Sequence, residues 1–451
     1  MSDTIAAIST PLGVGAISII RVSGKEAINI VSKIYKGKNL TKQKSHTLNY
    51  GHIFDGDKII DEVLVSIMLE PNTFTRENIV EINSHGGIAT TNKILELLLS
   101  NGCRLAEPGE FTKRAFLNGR IDLIEAEGVM DLINAKTEKS MELAINQVNG
   151  YTSFLIKQLR EKLVKLISNI NVNIDYPEYE DIKQVTNNDI LSQIDYIYDE
   201  IANILKHAKD NQIINEGIKT VIVGSPNVGK SSILNKLLDY EKAIVTDIPG
   251  TTRDIVEGSI LINGIVLKII DTAGIRKTND LVENIGVEKS IKLIEEADLI
   301  LFVLNNNEKL SKENLELYEK IKEKNYLIII NKIDLDNKLD VSFFDKNRYV
   351  RISALDDECT EIIKNKISEI FNLAELNNKD LTYLSNARSI SLLNQSLDTL
   401  YEVKKSLNDN LPIDFIEIDL RSVWNMLGEI IGDSYTDELL DKIFSQFCLG
   451  K

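Results

Sequence analysis

The sequence predicts a multidomain protein of mixed α/β and α class. An α+β domain comes first, then a helical-bundle domain interrupted by an inserted α/β domain. Three textures carry this expectation. Short apolar alternations between Gly-rich turns fill residues 1–118. Leucine and isoleucine recur at helical steps over about 121–207 and again after about 378. Between them, over about 217–371, apolar β runs alternate with amphipathic helices, the mark of a parallel-rich sheet. The expected boundaries are 1–118 for the first domain, 119–215 and 375–451 for the two parts of the helical domain, and 216–374 for the insert.

In the first texture, Ala16–Arg21, Glu62–Met68 and Asn78–Ile82 read as strands, with Asp55-Gly56 as a hairpin turn and Ile88–Leu99 as a helix. In the second, Leu155, Leu159, Leu163, Leu166 and Ile170 line one helix face, Pro177 breaks the helix, and another is expected over Ile190–Ile204. After the insert, Leu392, Leu393, Leu397 and Leu400 form one stripe and Ile416–Leu427 a second; such stripes are bundle packing rather than cofactor sites.

Composition excludes several classes. The chain has 451 residues and 43% apolar content, enough for large cores, so wholesale disorder is ruled out. A net charge of −16 argues against gripping nucleic acid through a general basic surface. Cys103, Cys359 and Cys448 have neither disulfide-scaffold nor zinc-ligand spacing. Met1–Thr4 lacks the basic start of a signal peptide, and no apolar run approaches the ~18 residues of a membrane span. The expectation is a soluble protein of a reducing compartment, the cytoplasm.

The insert opens with the β run Thr220–Val223, then Gly224-Ser-Pro-Asn-Val-Gly229-Lys230-Ser231, then the helix-like Ile233–Leu238. That is G-x-x-x-x-G-K-S in its strand–loop–helix context, a loop whose backbone N–H groups wrap a phosphate chain. Lys230 reaches the β/γ-phosphates and Ser231 offers a hydroxyl to Mg2+. Asp271-Thr-Ala-Gly274 ends the Val266–Ile270 run, and Asn331-Lys-Ile-Asp334 ends Leu327–Ile330. Strand ends of an open α/β sheet are where ligands bind. Asp271 suits magnesium through water, and the Gly274 N–H suits a γ-phosphate. Asp334 offers two oxygens to the N1–H and 2-amino donors of guanine, with Asn331 near O6 and the Lys332 stem over the ring. Ser353-Ala354-Leu355 closes the base pocket. The expected nucleotide contacts are therefore Asn227, Val228, Gly229, Lys230, Ser231 and Ser232, then Asp271, Thr272, Ala273 and Gly274, then Asn331, Lys332, Asp334, Ser353, Ala354 and Leu355. This region resembles the translation-factor-like, Ras-type GTPase domain.

The residue after Gly274 is Ile275, which cannot polarise water, so another group must orient the nucleophile or the site is a slow timer. Arg276 and Glu283 are the nearby candidates, and Arg276 equally suits a solvated switch residue. Thr246, Asp247, Ile248, Pro249, Gly250, Thr251 and Thr252 read as a mobile switch loop on the nucleotide, with Thr252 as the second hydroxyl on Mg2+. Paired threonines also make local side chain–backbone turns. Asn227 either caps its loop or ligates a monovalent cation.

The whole chain resembles the MnmE (TrmE) family of tRNA-modification GTPases. The residues that carry this are Thr10–Gly15, Ile20–Gly24, Glu81–Gly87, Pro108–Asn118, Gly224–Ser232, Gly250–Asp254 and the terminal Cys448-Leu-Gly-Lys451. The resemblance implies a folate-binding, dimerising N-terminal domain, a discontinuous helical domain and an inserted G domain. It implies a homodimer that works with an FAD-dependent protein of the MnmG/GidA type, in a heterotetramer or larger complex. Together they add a carboxymethylaminomethyl or aminomethyl group to carbon 5 of the wobble uridine of certain tRNAs. A tetrahydrofolate derivative in the 5-formyl or 5,10-methylene form is the one-carbon source, and FAD enters only through the partner.

Mapped onto matching positions, the resemblance implies K+ held by the side chain of Asn227 and by Thr246, Ile248 and Thr251. It implies Glu283 as the residue that positions water, in place of an ordinary helix-start carboxylate. It implies a folate site of Arg21, Glu81, Arg120 and Lys451, in which Glu81 suits the pterin's N–H donors and the cations suit the anionic tail. Cys448 mimics a prenylation box, but Gly450, Lys451 and the absence of a basic tract reject that reading; a packed cysteine is favoured over thiol chemistry. Two rivals share the G domain. A ribosome-assembly switch needs a basic RNA-binding appendage that these flanks lack, and a nucleotide-gated scaffold would do no RNA chemistry.

Overall fold

Period-two burial at the start of the chain builds a sheet whose one face is apolar. The computed structural model describes residues 3–175, 186–239, 258–271, 293–373, 384, 386–409 and 411–450. The chain divides into two compact units: Met1–Ile133 with Ile145–Asp199 and Leu392–Lys451, and Asn134–Ala144 with Glu200–Ser391.

The first unit opens with β1 (Ile5–Ile8), β2 (Ile17–Ser23), α1 (Ala27–Ile34), β3 (Tyr35–Gly37), β4 (Thr47–Asp55), β5 (Lys58–Met68), β6 (Ile79–His85), α2 (Ile88–Ser100) and β7 (Arg104–Leu105). The strands form one seven-stranded sheet in the order β3-β4-β5-β6-β2-β1-β7. The hairpin expected at Asp55-Gly56 is present, with Asp55 opposite Lys58. Ile20, Val22, Val65 and Ile82 bury one face of the sheet against Ile30, Val31, Ile94 and Leu98 of α1 and α2. On β4 and β5 the alternate positions Leu48, Tyr50 and Leu64 are exposed. The register sets Arg21 of β2 directly opposite Glu81 of β6.

Helices follow: α3 (Glu110–Leu117), α4 (Leu123–Asn134), α5 (Glu138–Val148), α6 (Tyr151–Asp175) and α7 (Asn187–Glu216). A reciprocal capping box starts α4, in which the Asp122 N–H donates to Glu125 and the Glu125 N–H returns to Asp122. The helix expected over Ile190–Ile204 runs through all of Asn187–Glu216, because Ala208 and Ile214 continue its buried face. Pro177 lies outside the described residues.

The inserted texture gives β8 (Ile218–Val223), α8 (Lys230–Asp239), β9 (Gly258–Ile262), β10 (Ile265–Asp271), β11 (Leu299–Asn305), α9 (Lys312–Ile321), β12 (Tyr326–Asn331), β13 (Tyr349–Arg351) and α10 (Cys359–Ile370). Its six-stranded sheet runs β13-β12-β11-β8-β10-β9, parallel except for β9 against β10. Every residue of β11 and β12 is buried, as a sheet covered on both faces requires.

The chain closes with α11 (Ala387–Asn408), α12 (Ile413–Ile431) and α13 (Asp437–Phe444). α12 packs along α6, so helices from either side of the insert pair, as the leucine stripes predict. Arg160 of α6 lies over the Trp424 ring of α12 at 4.2 Å and bonds Asp433. Phe444 and Phe447 bury against Phe116 and Leu123, and the Gly450 carbonyl beyond them accepts from Arg21 of β2, which brings the C-terminal tail to the N-terminal sheet. Among the described residues, no helix is long and apolar enough to cross a membrane.

Candidate functional site

Parallel strands end at one edge of the inserted sheet, and the chemistry-bearing residues gather there. β8 delivers the phosphate-loop residues, and Lys230 begins α8. Asn227 sits at φ +63°, a left-handed conformation that asparagine tolerates, and Gly229 at φ +103°. A Cβ on Gly229 would stand 2.2 Å from Nδ2 of Asn331, so only glycine allows this close approach. The Lys230 ammonium donates to the carbonyls of Gly224 and Ser225 at 2.9 and 2.8 Å, which holds it over the loop. Ser231 and Ser232 are exposed in the first turn of the helix. Asp271 ends β10 beside Ile222, at the same sheet edge; its side chain lies outside the described residues.

At the other side of the site, Asn331 ends β12 and is 1% exposed. Its Nδ2 donates to the Val228 carbonyl and its Oδ1 accepts the Ala354 N–H, each at 2.9 Å. Both ends of this amide are thus committed to the chain, and its role here is to fix the two loops. Lys332 donates to the Asn227 carbonyl at 2.8 Å, which lays its stem across the space between the loops. The Asp334 carboxylate is exposed, and the buried Ser353 hydroxyl pins it at 2.8 Å. Leu355 is 80% exposed at the rim.

The donor set fits a purine nucleotide: a glycine cradle at a helix N-terminus, an ammonium beside it, and a fixed carboxylate suited to paired N–H donors. Thr246, Asp247, Ile248, Pro249, Gly250, Thr251, Thr252, Thr272, Ala273, Gly274, Ile275, Arg276 and Glu283 lie outside the described residues. Sequence reasoning missed the braces of this site. Ser225 donates to Asn314 of α9 at 2.9 Å, and Lys236 of α8 donates to the Leu355 and Asp356 carbonyls at 3.1 and 2.8 Å. No motif marks either contact.

A second constellation lies in the first unit. Arg21 donates through Nε to Glu81 at 2.9 Å and through Nη1 to the Gly450 carbonyl at 3.3 Å. Ser9 donates to the same carbonyl at 3.1 Å. The Arg21 guanidinium lies 5.7 Å from the Phe111 ring centre, and that of Arg120 lies 4.9 Å from Phe74. Phe74 packs against the cluster containing Phe111, so cations and aromatic faces alternate across the site. Arg21, Glu81 and the tail come together from opposite ends of the chain, while Arg120 joins them through the two rings. Lys451 lies outside the described residues. A carboxylate, two guanidiniums and two rings fit a flat, anionic heterocycle. Phe111 falls within the Pro108–Asn118 motif, whereas nothing in the sequence pointed to Phe74.

Beneath this site, Arg114 is 1% exposed and bonds Glu110, Glu77 and Asp3. Burial alone would raise the Glu110 carboxyl. The Arg104 hydrogen bond, the Glu107 N–H and Arg114 outweigh it and hold the group below the ordinary glutamate value.

Residues 4–120 match the family model described as GTP-binding protein TrmE N-terminus, and residues 123–448 match that of the MnmE helical domain. A tRNA modification GTPase MnmE of Lactococcus lactis subsp. cremoris (strain MG1363) is 53% identical over 449 residues, covering 100% of this chain and 98% of that protein. The protein of that name from Streptococcus agalactiae serotype Ia is 52% identical, with 100% and 98% covered. The one from Bacillus mycoides (strain KBAB4) is 50% identical, with 100% and 99% covered.

Proposed function

This chain belongs to the MnmE (TrmE) family of tRNA modification GTPases, and on that premise we propose that GTP hydrolysis by its G domain drives modification of carbon 5 of the wobble uridine in certain tRNAs. The protein is a GTP hydrolase acting in tRNA modification. The observation that carries the nucleotide half is the Asn331 amide, bonded at once to the phosphate loop and to the base loop.

Lys230 swings from the Gly224 and Ser225 carbonyls to the β/γ-phosphates, and Asp334 accepts from N1–H and the 2-amino group of guanine. Ser231 and Thr252 would hold magnesium, and the Asn227 side chain with Thr246, Ile248 and Thr251 would hold potassium. When bound, these cations supply positive charge where the transferring phosphoryl group develops negative charge. Glu283 orients the attacking water, a task Ile275 cannot perform.

The Arg21–Glu81 constellation takes a tetrahydrofolate derivative. Glu81 meets the pterin's N–H edge, and Arg21, Arg120 and Lys451 meet the anionic tail. Folate and the FAD of a flavoprotein partner supply the one-carbon and redox chemistry. The exposed row of Leu48, Tyr50 and Leu64 supports pairing of two N-terminal domains in a homodimer. The acidic chain suits a cytoplasmic complex in which the partner carries much of the tRNA affinity.

GTP turnover of the full chain in potassium and in sodium, with and without the flavoprotein, tests the reading. Turnover should fall strongly in sodium; equal rates remove the role given to Asn227 and the switch loop. An unchanged wobble-uridine profile in tRNA from cells lacking the protein would overturn the tRNA assignment.

A further inference from the structure

We infer that Asn306, outside every nucleotide motif, is the positioning residue that sets guanine selectivity, by hanging both walls of the base pocket from one buried side chain. The inference rests on reading Asp334 as the guanine-recognising carboxylate.

Asn306 follows the last residue of β11 and is 1% exposed. Its N–H donates to the Asn331 carbonyl at 2.9 Å, extending the β11–β12 ladder one step past the sheet. Its carbonyl accepts from the N–H groups of Lys338 and Leu339 at 2.8 and 3.2 Å. Its side-chain Nδ2 donates to the Leu335 carbonyl at 3.1 Å, and its Oδ1 accepts Nη2 of Arg351 at 2.7 Å. The segment that carries Asp334 is therefore tied at its start, just past the carboxylate, and at its end to a single residue.

The Arg351 bond extends the control to the other wall. Arg351 ends β13 and precedes Ile352 and Ser353, whose hydroxyl pins Asp334. A shift of Asn306 would move the carboxylate and its anchor together. The amide satisfies a carbonyl and a guanidinium with the correct polarity at each end, which no apolar residue of its size reproduces. Asn306 itself contacts no nucleotide atom; it acts through Asp334.

The test compares GDP with inosine diphosphate, which lacks only the 2-amino group, on the full chain. Their affinity ratio reads the alignment of the Asp334 carboxylate with the base edge. Wild type should prefer GDP by about tenfold or more, the order expected when a hydrogen bond to a charged group is lost. Asn306→Ala should weaken GDP about tenfold and inosine diphosphate only about threefold, so the ratio falls. A residue that merely supports the fold would weaken both nucleotides equally. Arg351→Gln removes one arm from an exposed side chain and guards against failure of the alanine variant to fold; it should lower the ratio about two- to threefold. A wild-type ratio in Arg351→Gln, or in a folded Asn306→Ala, overturns the inference and leaves the base pocket standing. Equal affinity of wild type for the two nucleotides overturns the base-pocket reading and the inference with it.

Discussion

Nδ2 of Asn331 donates to the Val228 carbonyl across 2.9 Å, joining the end of β12 to the middle of the phosphate loop. Its Oδ1 holds Ala354, so one buried amide spans three loops. The Val228 and Ala354 loops are thereby both tied to the end of β12 by a single side chain.

Asn331→Ala leaves the Val228 carbonyl and the Ala354 N–H without partners in a buried setting. The cost to the inserted domain should be about 1–3 kcal/mol per unsatisfied group. GDP affinity should drop by about tenfold or more, since the loops lose their mutual register. Calorimetric titration with GDP measures this, and an unaltered affinity would mean that the loops are held by other contacts.

Gly229→Ala tests the close approach itself. The added methyl would stand 2.2 Å from Asn331 Nδ2, on a backbone at φ +103° that L side chains rarely adopt. Nucleotide binding should be lost while the first unit stays folded. Binding of GDP and of 5-formyltetrahydrofolate to the same preparation separates the two: the first should vanish and the second persist.

The strands and stripes of the fold were legible because burial repeats with a period. The alternation of Glu62–Met68 and the apolar run Leu299–Leu304 announce a half-buried and a fully buried strand. The short β3 and β7 carry too few residues for a period, and they exist because a neighbouring strand supplies partners. In the candidate site, Gly229, Lys230 and Asp334 were legible as a cluster at one sheet edge, because each sits in a short motif directly after the apolar run of β8 or β12. Phe74, Lys236 and Asn306 were not, since their roles arise from contacts across distant segments that no local pattern records.

Acid should unfold the first unit through the Arg114 network. Burial would raise the Asp3 and Glu110 carboxyls, but Arg104 and Arg114 hold both below the ordinary range of aspartate and glutamate. Groups depressed in the folded state contribute stability above their unfolded pKa values and lose it as pH falls through the folded ones. Stability should be level from neutrality to about pH 5 and decline below about pH 4. Trp424, the chain's one tryptophan, lies in this unit and gives the fluorescence readout for urea unfolding at each pH. Glu110→Gln should lower stability at pH 7 and flatten the acid decline; a decline as steep as wild type would assign it to other carboxylates.

The docked tail offers the sharpest separation of the two sites. Gly450 sits at φ +86°, and a Cβ there would lie 2.4 Å from the Ile8 carbonyl, so a side chain forces the tail off the sheet. Its carbonyl would then release Arg21 and Ser9. Gly450→Val should therefore abolish 5-formyltetrahydrofolate binding while GTP turnover without the flavoprotein stays at the wild-type rate. Deleting Cys448–Lys451 should do the same, which distinguishes loss of the tail from strain introduced by valine. If the deletion binds folate as wild type does, the C-terminal residues brace the sheet and take no part in holding the ligand.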